Sequence, residues 1–441
     1  MSYRRKKLLA LFCATALSMT AVAGCTGTKS STGNVVSSET ETNAEETSAQ
    51  SEAGTFSSAD MFTERDLAGT YEESGAVYVT LSDDGITGET DGVVIKGQMV
   101  TITAEGTYIF SGTLSEGQIV VDADNAKVQI VFDNVDITCA SSAAVYVKSA
   151  EKVFVTLAEG SQNTLRNTDE YVAIDDNNID AVIFAKSDLT LNGTGSLTIV
   201  SAEGHGIVSK DDLKITGGTY DITAAGHALS GKDSVRIADG TYTLATGDDG
   251  VHADDALIVN GGTITVTESY EGLEGLAVTI NDGTIDITAS DDGINTAGEK
   301  MELNGGYIHI LAGGDGVDSN GDLTINGGEI YIDGPSDNGN SAIDYGDRSS
   351  AYVNGGTLVA IGSSGMAEVM SDSSKQKVLM VKLGEQMEAG NVVLTDSEGN
   401  VIVSYTALKT YDCVIISTAE VESGATYTLT TSGTTTEVTA E

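Results

Sequence analysis

Between residues 247 and 332 the chain alternates apolar and polar positions in short runs, and the runs return about every 22 residues. GDDGVHADDALIVNGGTITV is followed by SYEGLEGLAVTINDGTIDI, SDDGINTAGEKMELNGGYIHI and GGDGVDSNGDLTINGGEIYI. Alternation at every second residue puts the apolar side chains on one face of a strand. Gly218, Gly240, Gly262, Gly283, Gly306, Gly328 and Gly356 mark one corner of each unit, spaced 22, 22, 21, 23, 22 and 28. A unit this short cannot bury its own apolar face and must stack on its neighbours. The pattern predicts an all-β protein, a parallel β-helix of about 22 residues per coil with three short strands in each. Crossovers between parallel strands are nearly always right-handed, so the coil is expected to be right-handed.

Two columns sharpen this reading. Before the corner stand Thr216, Ala238, Asn260, Asn281, Asn304, Asn326 and Asn354, which stacked coils bring to a spacing of roughly 4.8 Å. An amide both donates and accepts, so such a ladder satisfies itself. Two residues after the corner glycine come Tyr220, Tyr242, Ile264, Ile285, Ile308, Ile330 and Leu358, all apolar or aromatic, as an interior column must be.

The pattern has edges. Arg4, Arg5, Lys6 and Lys7 precede an apolar run and the sequence Val22-Ala23-Gly24-Cys25, which reads as a lipoprotein signal over residues 1–24 with Cys25 as the lipidated residue. Residues 25–66 are rich in Ser, Thr and Glu and almost lack large apolar residues, so a flexible tether is expected there. The β-helix is expected over 67–374. From 375 to 441 strands at hairpin spacing predict a small C-terminal antiparallel β domain that caps the last coil. The chain is thus expected on the extracellular face of a membrane, held by its lipid alone.

Composition narrows the partners. The formal net charge is −44, and loss of the four basic leader residues makes it more negative. Nothing in such a chain neutralises phosphates, which excludes nucleic acid. Cys139 and Cys413 lie in different predicted domains and read as buried free thiols.

The charge is also ordered. Before the turn glycine come His205, His227, Asp249, Glu271, Asp292, Asp315 and Ser341; two positions after it come Val208, Ser230, His252, Glu274, Asn295, Asp318 and Asp344. Carboxylates in adjacent coils repel one another unless a cation intervenes. Ca2+ takes roughly 6 to 8 oxygen ligands in flexible geometry, so Asp248, Asp249, Glu271, Glu274, Asp291, Asp292, Asp315, Asp318 and Asp344 are its candidate ligands; the alternative is that they fan into water. An insertion at 334–340 (GPSDNGN) follows at once, where solenoids often carry binding loops. The Thr-rich plane after the corner ends in Tyr307, His309 and Tyr331, a candidate platform for sugar rings. Thr also simply suits exposed strands. No catalytic residue is assigned: paired carboxylates recur in every coil as a property of the repeat, and basic residues are few.

The repeats, the DDG-I/V turns, the NGG corners and the segment SAAVYVKSAEKVFVTLAEG (142–160) together resemble a family of bacterial surface proteins described as carbohydrate-binding domain-containing, with a polysaccharide-lyase-like β-helix. The likeness runs from about residue 76 to 441. It implies a right-handed β-helix with bound calcium and affinity for polysaccharide, both cellulose and acidic pectin-like glycans. Asp249, Glu271, Asp292 and Asp315 match the family's repeated acidic turn, while His205 and His227 depart from it. The expected function is therefore an extracellular, lipid-anchored, calcium-bearing carbohydrate-binding protein. The alternatives are a calcium-dependent lyase on uronic-acid polymers and a surface adhesin or spacer.

Overall fold

The computed structural model describes residues 61–88, 91–346 and 348–440. The predicted signal, Cys25 and the tether up to residue 60 lie outside them. Among the described residues no helix is long and apolar enough to cross a membrane.

The chain winds into a parallel β-solenoid of about 11 turns with about 23 residues per turn. Each regular coil contributes to three faces. The first carries short strands such as Ile294–Thr296 and Val317–Ser319, the second Met301–Leu303 and Leu323–Ile325, the third Thr284–Ala289, Tyr307–Ala312 and Glu329–Asp333. Stacking is in register: Tyr220 pairs with Tyr242, then Ile264, Ile285, Ile308, Ile330 and Leu358 follow one above the other. All are buried, and the Tyr220 and Tyr242 rings stack at 5.2 Å, each hydroxyl donating to a corner carbonyl. One continuous apolar core runs the length of the solenoid, as stacked units that cannot fold alone require.

The asparagine ladder forms on the corner between the second and third faces. Asn281 donates to Asn260 at 2.7 Å, Asn304 to Asn281 at 2.8 Å, Asn326 to Asn304 at 2.7 Å and Asn354 to Asn326 at 2.9 Å. Replacing Asn304 with Ala removes two of these bonds at a partly exposed site where water substitutes; we expect a loss of about 1 kcal/mol in chemical denaturation.

The two departures from this column have a tertiary cause. Residues 61–70 fold back along the second face as a strap. Thr63 caps a short helix, Glu64–Ala68, with Asp66 completing a capping box. The Asp66 carboxylate sits 2.6 Å from Lys152 Nζ and accepts from Thr190 at 2.7 Å, while its main-chain oxygen accepts from Asn192 and Thr216. Met61 and Phe62 pack on Ile258 beside Ala238. Thr216 and Ala238 therefore face the strap rather than another amide. The expected tether boundary at 66 falls inside this segment: Met61, Phe62 and Asp66 are buried because their few apolar and capping groups find partners only on the folded coils.

At the other end the strands Leu379–Met387 and Tyr411–Ser417 extend the third face antiparallel from Thr357–Gly362. A separate antiparallel sheet is built from Gly390–Thr395, Val401–Ala407, Thr426–Thr430 and Thr435–Thr439. Together they bury the outward side chains Val359 and Ile361 of the last third-face strand. Cys139 and Cys413 are buried and unbridged, and burial pushes both thiols up to about 11.

Candidate functional site

The turn from the third face to the first places the two acidic columns on one edge. Its glycine is required by close approach: a Cβ on Gly272 or Gly293 would lie 2.4 or 2.5 Å from the carbonyl oxygen of the next coil's glycine. That contact lets Gly250 donate to Glu271 O, Gly272 to Asp292 O and Gly293 to Asp315 O, fixing the residues before the glycine in a column. The second column is in register from Ser230 through His252, Glu274, Asn295 and Asp318 to Asp344.

The side chains gather into three groups, the first two sharing Asp249, and within each the ligand atoms lie within 4.8 Å of one another: His227, Asp249 and His252; Asp249, Glu271 and Glu274; Asp292, Asp315 and Asp318. Six of the nine candidate calcium ligands thus come together. Asp248, Asp291 and Asp344 stand beside these groups: Asp248 lies 3.7 Å from His227 Nε2, and Asp344 accepts from the Tyr345 amide. His227 and His252, members of the two columns but not of the expected calcium set, join Asp249 in the first group.

The column also ties coils together. Asp292 accepts from the Asp315 amide at 2.7 Å, Asp315 from the Ser341 amide at 2.5 Å, His205 from His227 N at 2.9 Å and His227 from Asp249 N at 3.2 Å. Burial pushes Glu271 up to about 8, Asp315 up to about 7, and Asp292 and Asp318 up to about 6, with neighbouring carboxylates adding to the rise. Burial acts the same way on Asp249, but His227 and His252 outweigh it and hold that carboxyl well below its usual range. Burial opposes charge on His252, yet Asp249 and Glu274 outweigh it and push the imidazole up to about 10.

These residues fit a hard cation. Besides the carboxylates, Asn295 Oδ1 is buried with no hydrogen-bond partner, while its Nδ2 donates to Glu271 at 3.0 Å. An amide oxygen left unpaired beside Glu271, between Glu274 and Asp318, is a ligand of the kind Ca2+ takes.

The aromatic residues of the third face are arranged otherwise than a free platform. Tyr307 and Tyr331 lie 5.7 Å apart, tilted by 43°, but Tyr405 of the C-terminal sheet stacks on Tyr331 at 5.2 Å. Tyr405 donates to Asp333 at 2.5 Å, and His309 lies 3.2 Å from Asp286 and 3.7 Å from Asp333. Tyr307 remains 40% exposed and borders an open groove of about 610 Å³ along the glycine corners, with Asp282, Thr284 and Glu329 on its walls. Tyr405 carried no repeat signal, so nothing in the sequence pointed to it.

A parallel β-solenoid with an acidic edge and an open groove beside a tyrosine places this chain in the class of parallel β-helices. The model of the carbohydrate-binding domain-containing protein family matches residues 96–274 and again 247–398, and this chain belongs to that family. Membership supports a carbohydrate-binding role. A carbohydrate-binding domain-containing protein of Acetivibrio thermocellus is 43% identical over 131 residues, 29% of this chain and 46% of the relative; the chain spans under half the length of that relative. A solved structure of a polysaccharide lyase-like protein from C. thermocellum, a gadolinium derivative, is 27% identical and covers 63% of this chain and 99% of its own, with a TM-score of 0.43.

Proposed function

We propose that this chain is a lipid-anchored extracellular protein that binds plant-type polysaccharide, cellulose or acidic pectin-like glycans, and carries Ca2+ on the acidic edge. The observation that carries the binding reading is Tyr307, an exposed ring beside an open groove whose other walls are hydroxyl, carboxylate and glycine backbone. Sugar rings stack their apolar faces on aromatics and hydrogen-bond at their rims. Tyr331 and His309 act behind it, held by Tyr405, Asp286 and Asp333. Cys25 is the proposed anchor and residues 26–60 the proposed spacer from the membrane.

The groove and the acidic edge flank opposite ends of the third face, where a strand such as Thr284–Ala289 is six residues long, about 17 Å. Calcium at the edge therefore does not touch a glycan lying in the groove. Two modes of retention follow, one on neutral polymer at the groove and one on uronic-acid polymer bridged by calcium at the edge. Binding rather than cleavage is the reading, because His252 is enclosed by Asp249, Asp254 and Glu274 and held in the protonated form that cannot abstract a proton, and His227 beside it is turned onto Asp248 and Asp249.

Retention of the purified chain on cellulose and on polygalacturonate, each with calcium and with chelator, tests both modes. We expect Tyr307→Ala to weaken retention on cellulose on the order of tenfold at unchanged melting temperature, and chelator to abolish retention on polygalacturonate only. Unchanged cellulose retention in Tyr307→Ala would remove the groove from the assignment.

A further inference from the structure

We propose that His227, Asp249 and His252 form a site for a borderline divalent transition-metal ion, separate in ligand chemistry from the all-oxygen groups farther along the edge. At this point the columns change donor type: His227 is followed by Asp249 and Glu271 in one, and His252 by Glu274 in the other. The rings of His227 and His252 stack at 4.5 Å and 16°, so their nitrogens face the same edge. His227 Nδ1 and His252 Nδ1 both lie 3.1 Å from one oxygen, Asp249 Oδ2. Asp249 itself is 3% exposed.

The lone pairs here exceed the protons available to share. His227 Nδ1 faces the Asp249 carboxylate at 3.1 Å and accepts the Asp249 amide only at 3.2 Å, so an ion that takes its lone pair displaces that one hydrogen bond. His252 Nδ1 carries one proton between two acceptors, Asp249 and Glu274. A divalent ion takes the place of that proton and meets the two Nδ1 atoms and the Asp249 carboxylate oxygen at once. Imidazole with carboxylate suits Zn2+, Co2+, Ni2+ and Cu2+, whereas calcium takes oxygen. Asp249 also belongs to the group with Glu271 and Glu274, so a shared carboxylate links the nitrogen-bearing site to its all-oxygen neighbour.

The test is titration of the purified chain with Zn2+ in excess calcium, followed by calorimetry, and with Co2+, followed by its visible d–d bands. One Zn2+ per chain is expected. His227→Gln and His252→Gln should each lower its affinity by more than about tenfold and remove the Co2+ bands, while Asp315→Asn with Asp318→Asn leaves both intact. Should a glutamine variant melt below the parent in chelator, His227→Asn repeats the comparison, since its amide oxygen can still accept the Asp249 amide. Zn2+ affinity unchanged in the histidine variants, or lost only in the Asp315/Asp318 variant, would overturn the site and leave the histidines as stacked counter-ions. Neither result bears on glycan retention, so the binding reading stands or falls separately.

Discussion

Chelation at pH 8 is expected to lower the melting temperature of this chain far more than chelation at pH 5. In the metal-free protein Glu271, Asp292, Asp315 and Asp318 all have pKa values raised above their ordinary range, to about 8, 6, 7 and 6. Each therefore binds a proton in the folded state over a pH range where the unfolded chain has released it. Stability falls with rising pH wherever the folded state holds more protons, so the chelated protein should be most stable near pH 4 to 5 and lose stability up to about pH 8. Calcium reverses the argument by giving the charged forms a partner. A ligand at a hundred times its dissociation constant adds about 2.7 kcal/mol, and that gain should be largest where the carboxylates are ionised. Melting curves across pH 5 to 8, with calcium and with chelator, check the prediction. Coincident curves at pH 8 would withdraw calcium from the edge. The variant with Asp315→Ala and Asp318→Ala should lose most of the calcium response, and a full response in it would move the ion elsewhere.

Asp66→Ala is expected to cost about 3 to 5 kcal/mol, the loss typical of removing one partner from a buried ion pair. Asp66 is fully buried against Lys152, whose side chain is itself only 10% exposed. Burial raises the Asp66 pKa, but Lys152, Thr190 and Thr63 outweigh it and bring the carboxyl down to about 2. Its stabilisation is therefore complete above the unfolded carboxylate range and is lost as pH falls toward 2. Truncation takes the carboxylate away from the Lys152 ammonium, from Thr190 and from the Thr63 amide that it caps, while the Thr63 hydroxyl still accepts the residue-66 amide. Because Asp66 reaches residues of three successive coils, the loss should appear as early unfolding of the N-terminal coils, which denaturation followed by hydrogen exchange would locate. A change below about 1 kcal/mol would mean that the strap rests on its backbone contacts and on Met61 and Phe62.

Much of this molecule is written in the repeat. The spacing of the corner glycines, the asparagine column and the inward aliphatic column each demand stacked coils, and the stacking places Asp292, Asp315 and Asp318 together with no further information. Residues that break the repeat were less legible. Thr216 and Ala238 look like lapses in the asparagine ladder until the strap from Met61 to Ala68 is seen lying across them. His227 and His252 look like substitutions in an acidic column until their nitrogens are seen to meet at Asp249. Tyr331 reads as an outward ring ready to stack on a ligand, and Tyr405 already occupies that position.

The solenoid, its register and the acidic edge follow from the repeat alone, because a periodic backbone turns every sequence column into a spatial column at one strand spacing. Which members of those columns remain available depends on the folded chain as a whole: the strap over the second face, the C-terminal strands over Val359 and Ile361, and Tyr405 over Tyr331 come from segments with no share in the repeat. Contacts between non-repeating segments and the coils depend on where the chain returns in space, and no local alternation of apolar and polar residues encodes that.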